Sequence, residues 1–235
     1  MSERGKLYLI PTPLTDENVN EITDYNKSVV SALSHFIVED EKTARRFIKR
    51  IKPEKDQSSL KIYLLNEHQY ANSISETFNL LKAGTDIGLL SDAGCPGIAD
   101  PGSDYITIAH TIGIRVIPLS GPSSIFLSLM ASGFNGQQFT FNGYLPRDSK
   151  ARQQKISELE KQVMKSGITQ IFMETPYRNQ SILNDILSTC KNSTRLSIAC
   201  NITSKNEFIS TKEIGAWKKS TPDLNKKPCI FILGK

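Results

Sequence analysis

The sequence predicts an α/β protein of two domains, residues 1–118 on a parallel sheet and residues 119–235 on a mixed sheet. Three observations carry that prediction. Up to Pro118, short apolar strands alternate with helical patterns, as in a parallel sheet covered on both faces. Past Pro118 the pattern changes, and the chain closes on two strand-like runs that suggest an antiparallel pair. Within the first half, Leu90 to Gly102 holds three glycines, two prolines and two aspartates in thirteen residues, too many breakers for a regular element.

The elements follow in order. Leu7 to Ile10 is an apolar strand stopped by Pro11-Thr12-Pro13, and a helix runs from near Glu21 to Leu33. His35 to Val38 is the next strand, after which Glu39 or Asp40 starts a helix through Ile51. Lys61 to Leu65 is a third strand. Ser73 to Glu76 has capping-box spacing, and Gly84 can close that helix as its C′ residue. Ile87 to Leu90 and Ile114 to Ile117 supply two more strands, with a helix between them that Ser103 would cap. Gly121-Pro122-Ser123-Ser124 opens an apolar helix ending near Gly133. Phe139 to Gly143 reads as a strand, Ser149 to Lys165 as a polar helix, and Pro176 to Thr189 as a helix between strands at Gln170–Met173 and Arg195–Cys200. Glu207 to Ser210 and Cys229 to Leu233 are the terminal pair.

Composition bounds the rest. With 235 residues, 38% hydrophobic and 23% charged, the chain suits a soluble globular protein. Its net charge of +5 is a mild bias toward anionic partners. Cys95, Cys190, Cys200 and Cys229 are scattered, and His35, His68 and His110 lie far apart, so no zinc site is expected. Reduced thiols in a cytoplasmic protein are the simpler account, and neither a signal peptide nor a membrane span is expected. Walker A and GxGxxG signatures are missing, which disfavours a kinase, GTPase or Rossmann dehydrogenase.

Several stretches carry candidate chemistry. The Leu90–Gly102 loop follows a strand, where open α/β sheets place their ligands. Its glycines let a ligand approach the backbone, and its carboxylates can meet a cationic or hydroxylated one. The plainer alternative is a Gly- and Pro-rich turn. Lys42, Arg45, Arg46, Lys49 and Arg50 repeat at helical spacing opposite Ala44, Phe47, Ile48 and Ile51. That stripe suits a phosphate backbone, or is simply a solvated face. Arg147, Lys150, Arg152 and Lys155 read more readily as a solvated linker. Glu39-Asp40 is either a functional carboxylate pair or a favourable helix start. Glu174-Thr175-Pro176-Tyr177-Arg178, just past a strand, is either a functional loop or a helix start with Pro176 at N1.

The ordered series PTP, VED, LSDAGCPGIADPG, GIRVIPLSGPSS, FNGYLP and IFMETPYR resembles the tetrapyrrole methylase-like superfamily of S-adenosylmethionine-dependent methyltransferases. Within it, the chain is most similar to the subfamily that methylates ribose 2′-hydroxyls of small-subunit ribosomal RNA. The resemblance runs from Leu7 to the C-terminus. It implies two α/β domains of the tetrapyrrole methylase type, S-adenosyl-L-methionine in the interdomain cleft, and a homodimer. It places the cofactor against Pro11, Asp92, Ala93, Gly94, Cys95 and Ile98, with Ser123, Ser124, Met173 and Ile202 completing the pocket. A ribose hydroxyl is a poor nucleophile, so a base should take its proton, and Asp100 and Glu39 are the candidates.

Three departures stand out. The family's PTPIGNL continues here as Pro13-Leu14-Thr15-Asp16-Glu17-Asn18. Its ARELTK reads Ala199-Cys200-Asn201-Ile202-Thr203-Ser204, and its KGE reads Lys227-Pro228-Cys229. The lost Arg-Glu pair leaves two other readings open. One is methylation of a tetrapyrrole or another small acceptor; the other is a non-catalytic RNA-binding homologue.

Overall fold

The computed structural model describes residues 3–15, 18–65 and 70–235; His68 and the Asp16-Glu17 step lie outside them. The chain divides into two compact units, Met1–Ser123 and Ser124–Lys235.

The first unit carries five parallel strands, β1 (Lys6–Ile10), β2 (His35–Val38), β3 (Lys61–Leu64), β4 (Ile87–Leu90) and β5 (Arg115–Pro118), in the order β3-β2-β4-β1-β5. Its helices are α1 (Asp24–Ala32), α2 (Glu41–Ile51), α3 (Tyr70–Lys82) and α4 (Ser103–Thr111). The chain steps one way across the sheet from β1 to β3 and back the other way from β3 to β5. Right-handed crossovers therefore place α1 and α2 on one face and α3 and α4 on the other. The period-two alternation of the strands serves both. Ile10, Phe36, Val38 and Leu90 pack with Val29, Val30, Phe47 and Ile48, whereas Leu7, Ile37, Ile87 and Leu89 pack with Phe78, Leu81, Tyr105 and Ala109. Each such side chain contributes about 1.5–3 kcal/mol by leaving water. Because α1 and α4 leave to opposite faces, the ends of neighbouring β1 and β4 form the switch point at which such sheets bind ligands.

Caps decide the helix ends. Asp40 caps α2 by accepting from the Thr43 N–H at 2.7 Å, and Thr23 caps α1. Gly84, at φ +100°, closes α3 with the paired bonds Gly84 N to Leu81 O and Thr85 N to Leu80 O. Two expectations are corrected. The Ser73–Glu76 capping box lies inside α3, which begins at Tyr70, so Ser73 caps nothing. Before α4 the cap is Gly102 at φ +109°, and Ser103 is the first helical residue.

The second unit carries α5 (Ser124–Ser132), β6 (Phe139–Tyr144), α6 (Ser149–Ser166), β7 (Thr169–Glu174), a 3-10 turn at Pro176–Arg178, α7 (Asn179–Thr189), β8 (Arg195–Cys200), β9 (Phe208–Glu213), α8 (Ile214–Lys219) and β10 (Cys229–Gly234). Its mixed sheet runs β6-β7-β10-β8-β9, with only β6 and β7 parallel. The expected antiparallel pair is therefore wrong in one respect. β9 and β10 do not pair; both lie antiparallel to β8, which separates them. Ile156, Leu159 and Val163 of α6 and Ile182, Leu183 and Ile186 of α7 cover Phe172, Ile198 and Phe231. Glu174, expected just past the strand, is the last residue of β7.

The second basic patch is only partly solvated: Arg147 and Lys150 are exposed, but Lys150, Arg152 and Lys155 belong to α6 and Arg152 turns inward. Arg152 is 4% exposed. Its Nε donates to Asp185 Oδ2 at 2.6 Å, and its guanidinium also binds the Arg147 carbonyl and the Ser181 hydroxyl. Periodicity places Arg152 on the face of α6 that turns toward α7, next to Ile156 and Leu159.

Candidate active site

In the first unit, three loops at the carboxyl ends of β1, β4 and β5 are laced together. Thr12 and Gly94 form a two-residue antiparallel bridge, Thr12 N to Gly94 O at 2.9 Å and Gly94 N to Thr12 O at 3.0 Å. Thr12 Oγ1 donates to the Ser91 carbonyl at 3.1 Å, and Ser91 Oγ to the Gly94 carbonyl at 2.6 Å. Cys95 Sγ lies 3.4 Å from the Pro122 carbonyl, and buried Asn26 donates from Nδ2 to the Ser120 carbonyl at 2.7 Å. Against this frame the Pro11 ring sits directly on Gly121, where an added Cβ would fall 2.3 Å from Pro11 Cβ.

The glycines here serve the backbone before any ligand. Gly94 (φ +81°), Gly97 (φ +76°) and Gly102 (φ +109°) are left-handed, and so is Ala99 at φ +59°. A side chain at Gly94 would point at Leu14 and the Pro122 carbonyl, so its glycine is required by the turn. Ala99 holds that conformation against its own Cβ, at a cost of roughly 1 kcal/mol. The loop is thereby bent so that Asp92, Ala93 and Ile98 are exposed while Ser91, Gly94 and Pro96 are buried.

Three carboxylates gather at the loop. Glu39, at the end of β2, turns away from α2 and accepts from the Asp92 N–H at 3.4 Å. Its neighbour Asp40 is used as the cap, which separates the roles of the Glu39-Asp40 pair. Burial, then the nearby charge of Glu39, pushes Asp100 up to about 7. Burial and the Asp92 charge raise Glu39, and burial and Asp40 raise Asp92. Asp100 Oδ2 is buried with no hydrogen-bond partner among the described residues. Such a cluster is relieved by a cationic ligand or by a proton that one of its members holds.

Beside the Thr12–Gly94 bridge lies a small recess lined by Thr12, Thr15, Asp92 and, from α2, Thr43, Arg46 and Arg50. The basic stripe thus reaches the same loops as the carboxylates. Lys42, Arg46, Lys49 and Arg50 are exposed. Arg45 differs: it is partly buried, with Nε on Glu41 at 2.7 Å and Nη1 on the Gln57 carbonyl at 2.6 Å, and it braces the helix.

In the second unit, Ser124 is the first residue of α5, Met173 is half-buried in β7, and Ile202 is buried in a turn whose flanks Asn201 (φ +51°) and Thr203 (φ +68°) are left-handed. Glu174 is bound by Arg178, so the ETPYR stretch closes on itself. Sequence reasoning missed Thr12, Ser91 and Gly121 as the frame of the loops. The PTP and SGP stretches marked the turns, but nothing local showed that they touch. Among the described residues, no group of three or more His, Cys, Asp or Glu is placed to hold a metal ion, and no helix is long and apolar enough to cross a membrane.

A parallel unit with laced loops followed by a mixed-sheet unit defines a known class. The fold matches the crystal structure of the methyltransferase CobJ with a TM-score of 0.65 at 13% identity, over 98% of this chain and 94% of that one. This is the tetrapyrrole methylase type of fold. No protein-family model matches the chain. Sequence relatives are more specific. The ribosomal RNA small subunit methyltransferase I of Vibrio cholerae is 32% identical over 230 residues, covering 97% of this chain and 76% of the relative. That of Escherichia coli O157:H7 is 28% identical over 235 residues, covering 99% and 78%. The chain belongs to the ribosomal RNA small subunit methyltransferase I family.

Proposed function

We propose that the chain transfers a methyl group from S-adenosylmethionine to a ribose 2′-hydroxyl of small-subunit ribosomal RNA. The observation that carries this is the laced frame of three loops holding a carboxyl that titrates near neutrality. S-adenosylmethionine fits there on charge: it bears a sulfonium and an ammonium, and the site offers Glu39, Asp92 and Asp100, with Asp100 Oδ2 buried and without a hydrogen-bond partner among the described residues. When bound, it supplies an electrophilic methyl group whose thioether leaves without needing a proton. Pro11, Asp92, Ala93, Gly94, Cys95, Ile98 and Ser123 are the residues of the first unit that would hold it.

The chain's own residues then have two tasks. Orientation falls to the frame, since alignment of donor and acceptor supplies much of the rate in an in-line displacement. Proton removal falls to Asp100, whose value near 7 matches a general base working at neutral pH. Glu39 assists by keeping Asp100 high and by bonding the Asp92 N–H. RNA phosphates would lie along Lys42, Arg46, Lys49 and Arg50, with Arg45 as the brace. We further place the protein in the cytoplasm as a homodimer; Phe126 and Met130, exposed on successive turns of α5, suit a partner surface.

The test is transfer of label from S-adenosylmethionine to undermethylated small subunits, with the labelled nucleotide mapped. Label on a ribose supports the reading, whereas label only on a tetrapyrrole acceptor, or none on any acceptor, sinks it. Two variants sharpen it. Changing Arg46, Lys49 and Arg50 to Gln should weaken RNA binding and flatten its log–log salt dependence by about one unit per lost phosphate contact. Equal binding at every salt concentration would make the stripe a solvated face.

Asp100→Asn should remove the limb of the rate profile that rises through about pH 7. It should also stabilise the fold. A carboxyl raised in the folded state keeps its proton there while the unfolded chain has lost it, so stability falls as pH rises from about 4 to about 7. The Asn chain escapes that loss, and should gain on the order of 1–2 kcal/mol by pH 7, after discounting for partial exposure. Melting curves that differ equally at pH 4 and pH 8 would contradict the assignment.

A further inference from the structure

Two of the three departures from the family pattern meet in space. Cys200, where the pattern has Arg, ends β8, and Cys229, where it has Glu, begins β10; the two are direct cross-strand partners. Asn201 N donates to the Pro228 carbonyl at 3.0 Å. In the alternation of an antiparallel ladder, the next pair, Cys200 and Cys229, is therefore the non-hydrogen-bonded kind. That kind brings Cα atoms to about 4.5 Å and side chains closest together. A disulfide needs Cα atoms about 4.4–6.8 Å apart, so the backbone already stands inside the required range. Both side chains point to the same face, into the core under α6 and α7.

We propose that Cys200 and Cys229 are an oxidation site that closes, under peroxide, into a reversible cross-strand disulfide. Cys200 is the attacking thiol. It lines an open recess of about 460 Å³ with Asn201, Asn206, Phe208, Asp223 and Lys227, wide enough to admit a small oxidant. The neighbouring Cys229 thiol and the Lys227 ammonium draw Cys200 below the usual thiol range against the effect of burial, while Cys229 is pushed up and its thiol donates to the Lys227 carbonyl at 3.4 Å. The Cys200 thiolate attacks one oxygen of hydrogen peroxide; the O–O bond breaks, hydroxide leaves, and a sulfenic acid forms. The Cys229 thiol then displaces the sulfenic oxygen as water, and the S–S bond forms. Peroxide is reduced to two waters and two thiols are oxidised. Cys95 belongs to the first unit and Cys190 follows α7, and neither has a cysteine opposite it. This site stands independently of the methyl-transfer reading.

The experiment treats the full-length reduced chain with hydrogen peroxide, quenches in acid, unfolds it and alkylates the remaining thiols. Two of the four cysteines should resist alkylation, peptide mapping should join Cys200 to Cys229, and dithiothreitol should restore all four. In Cys229→Ser, a dimedone probe should mark Cys200 as sulfenic acid, and no disulfide should form. Four alkylated thiols after peroxide, a link through Cys95 or Cys190, or oxygen added at Cys200 without a link would each overturn the proposal. Should the serine variant fail to fold, the wild-type map alone still decides between these outcomes.

Discussion

Replacing Arg152 with alanine is expected to lower the free energy of unfolding by about 3–5 kcal/mol, the range seen when one member of a buried ion pair is removed. Asp185 is 7% exposed and would lose its only guanidinium partner among the described residues while keeping weaker bonds from Ser149 and Gln153. The Arg147 carbonyl and the Ser181 hydroxyl would also lose a donor. Urea denaturation measures the effect directly. Replacing both residues, Arg152→Met with Asp185→Leu, should recover much of the loss, because it removes the uncompensated charge as well as the bond. A loss under about 1 kcal/mol in the single variant would mean that the pair behaves like an exposed one.

Gly121→Ala should damage function more than stability. The added methyl would stand 2.3 Å from Pro11 Cβ and 2.6 Å from Cγ, and a proline ring has no flexible end to yield. The β5 loop must move away from the β1 loop, at a cost of about 1–3 kcal/mol for overpacking. That movement carries the Ser120 and Pro122 carbonyls with it, and so the contacts from Asn26 and Cys95. A displacement of about 1 Å in a site that works by alignment costs roughly 100-fold in turnover. Calorimetry with S-adenosylmethionine, beside a circular dichroism spectrum close to wild type, checks both halves. Full affinity and turnover with an unchanged melting temperature would show that the Pro11–Gly121 contact does not shape the site.

Much of this architecture is written locally. Each strand of the first unit is a short apolar run and each helix has an amphipathic stripe, so alternation alone implies the parallel sheet. Asp40, Gly84 and the cations of α2 other than Arg45 obey local rules and stand where those rules place them. The misplaced elements have equally definite causes. Ser73 has the right spacing for a capping box but lies within a helix that starts earlier. The last two strands are apolar runs of the right length, and nothing in either run says that β8 lies between them.

The sequence by itself determined the fold class, the succession of strands and helices except α8, the family, and the loop on which the proposed chemistry rests. These depend on residues close together in the chain, where periodicity, breakers and motifs act. Only the tertiary structure decided which distant residues meet: Thr12 with Gly94, Pro11 with Gly121, Glu39 with Asp92 and Asp100, Arg152 with Asp185, Cys200 with Cys229. Strand order and register set those pairings. They arise from packing two sheet faces at once, a long-range condition that no local window of sequence contains.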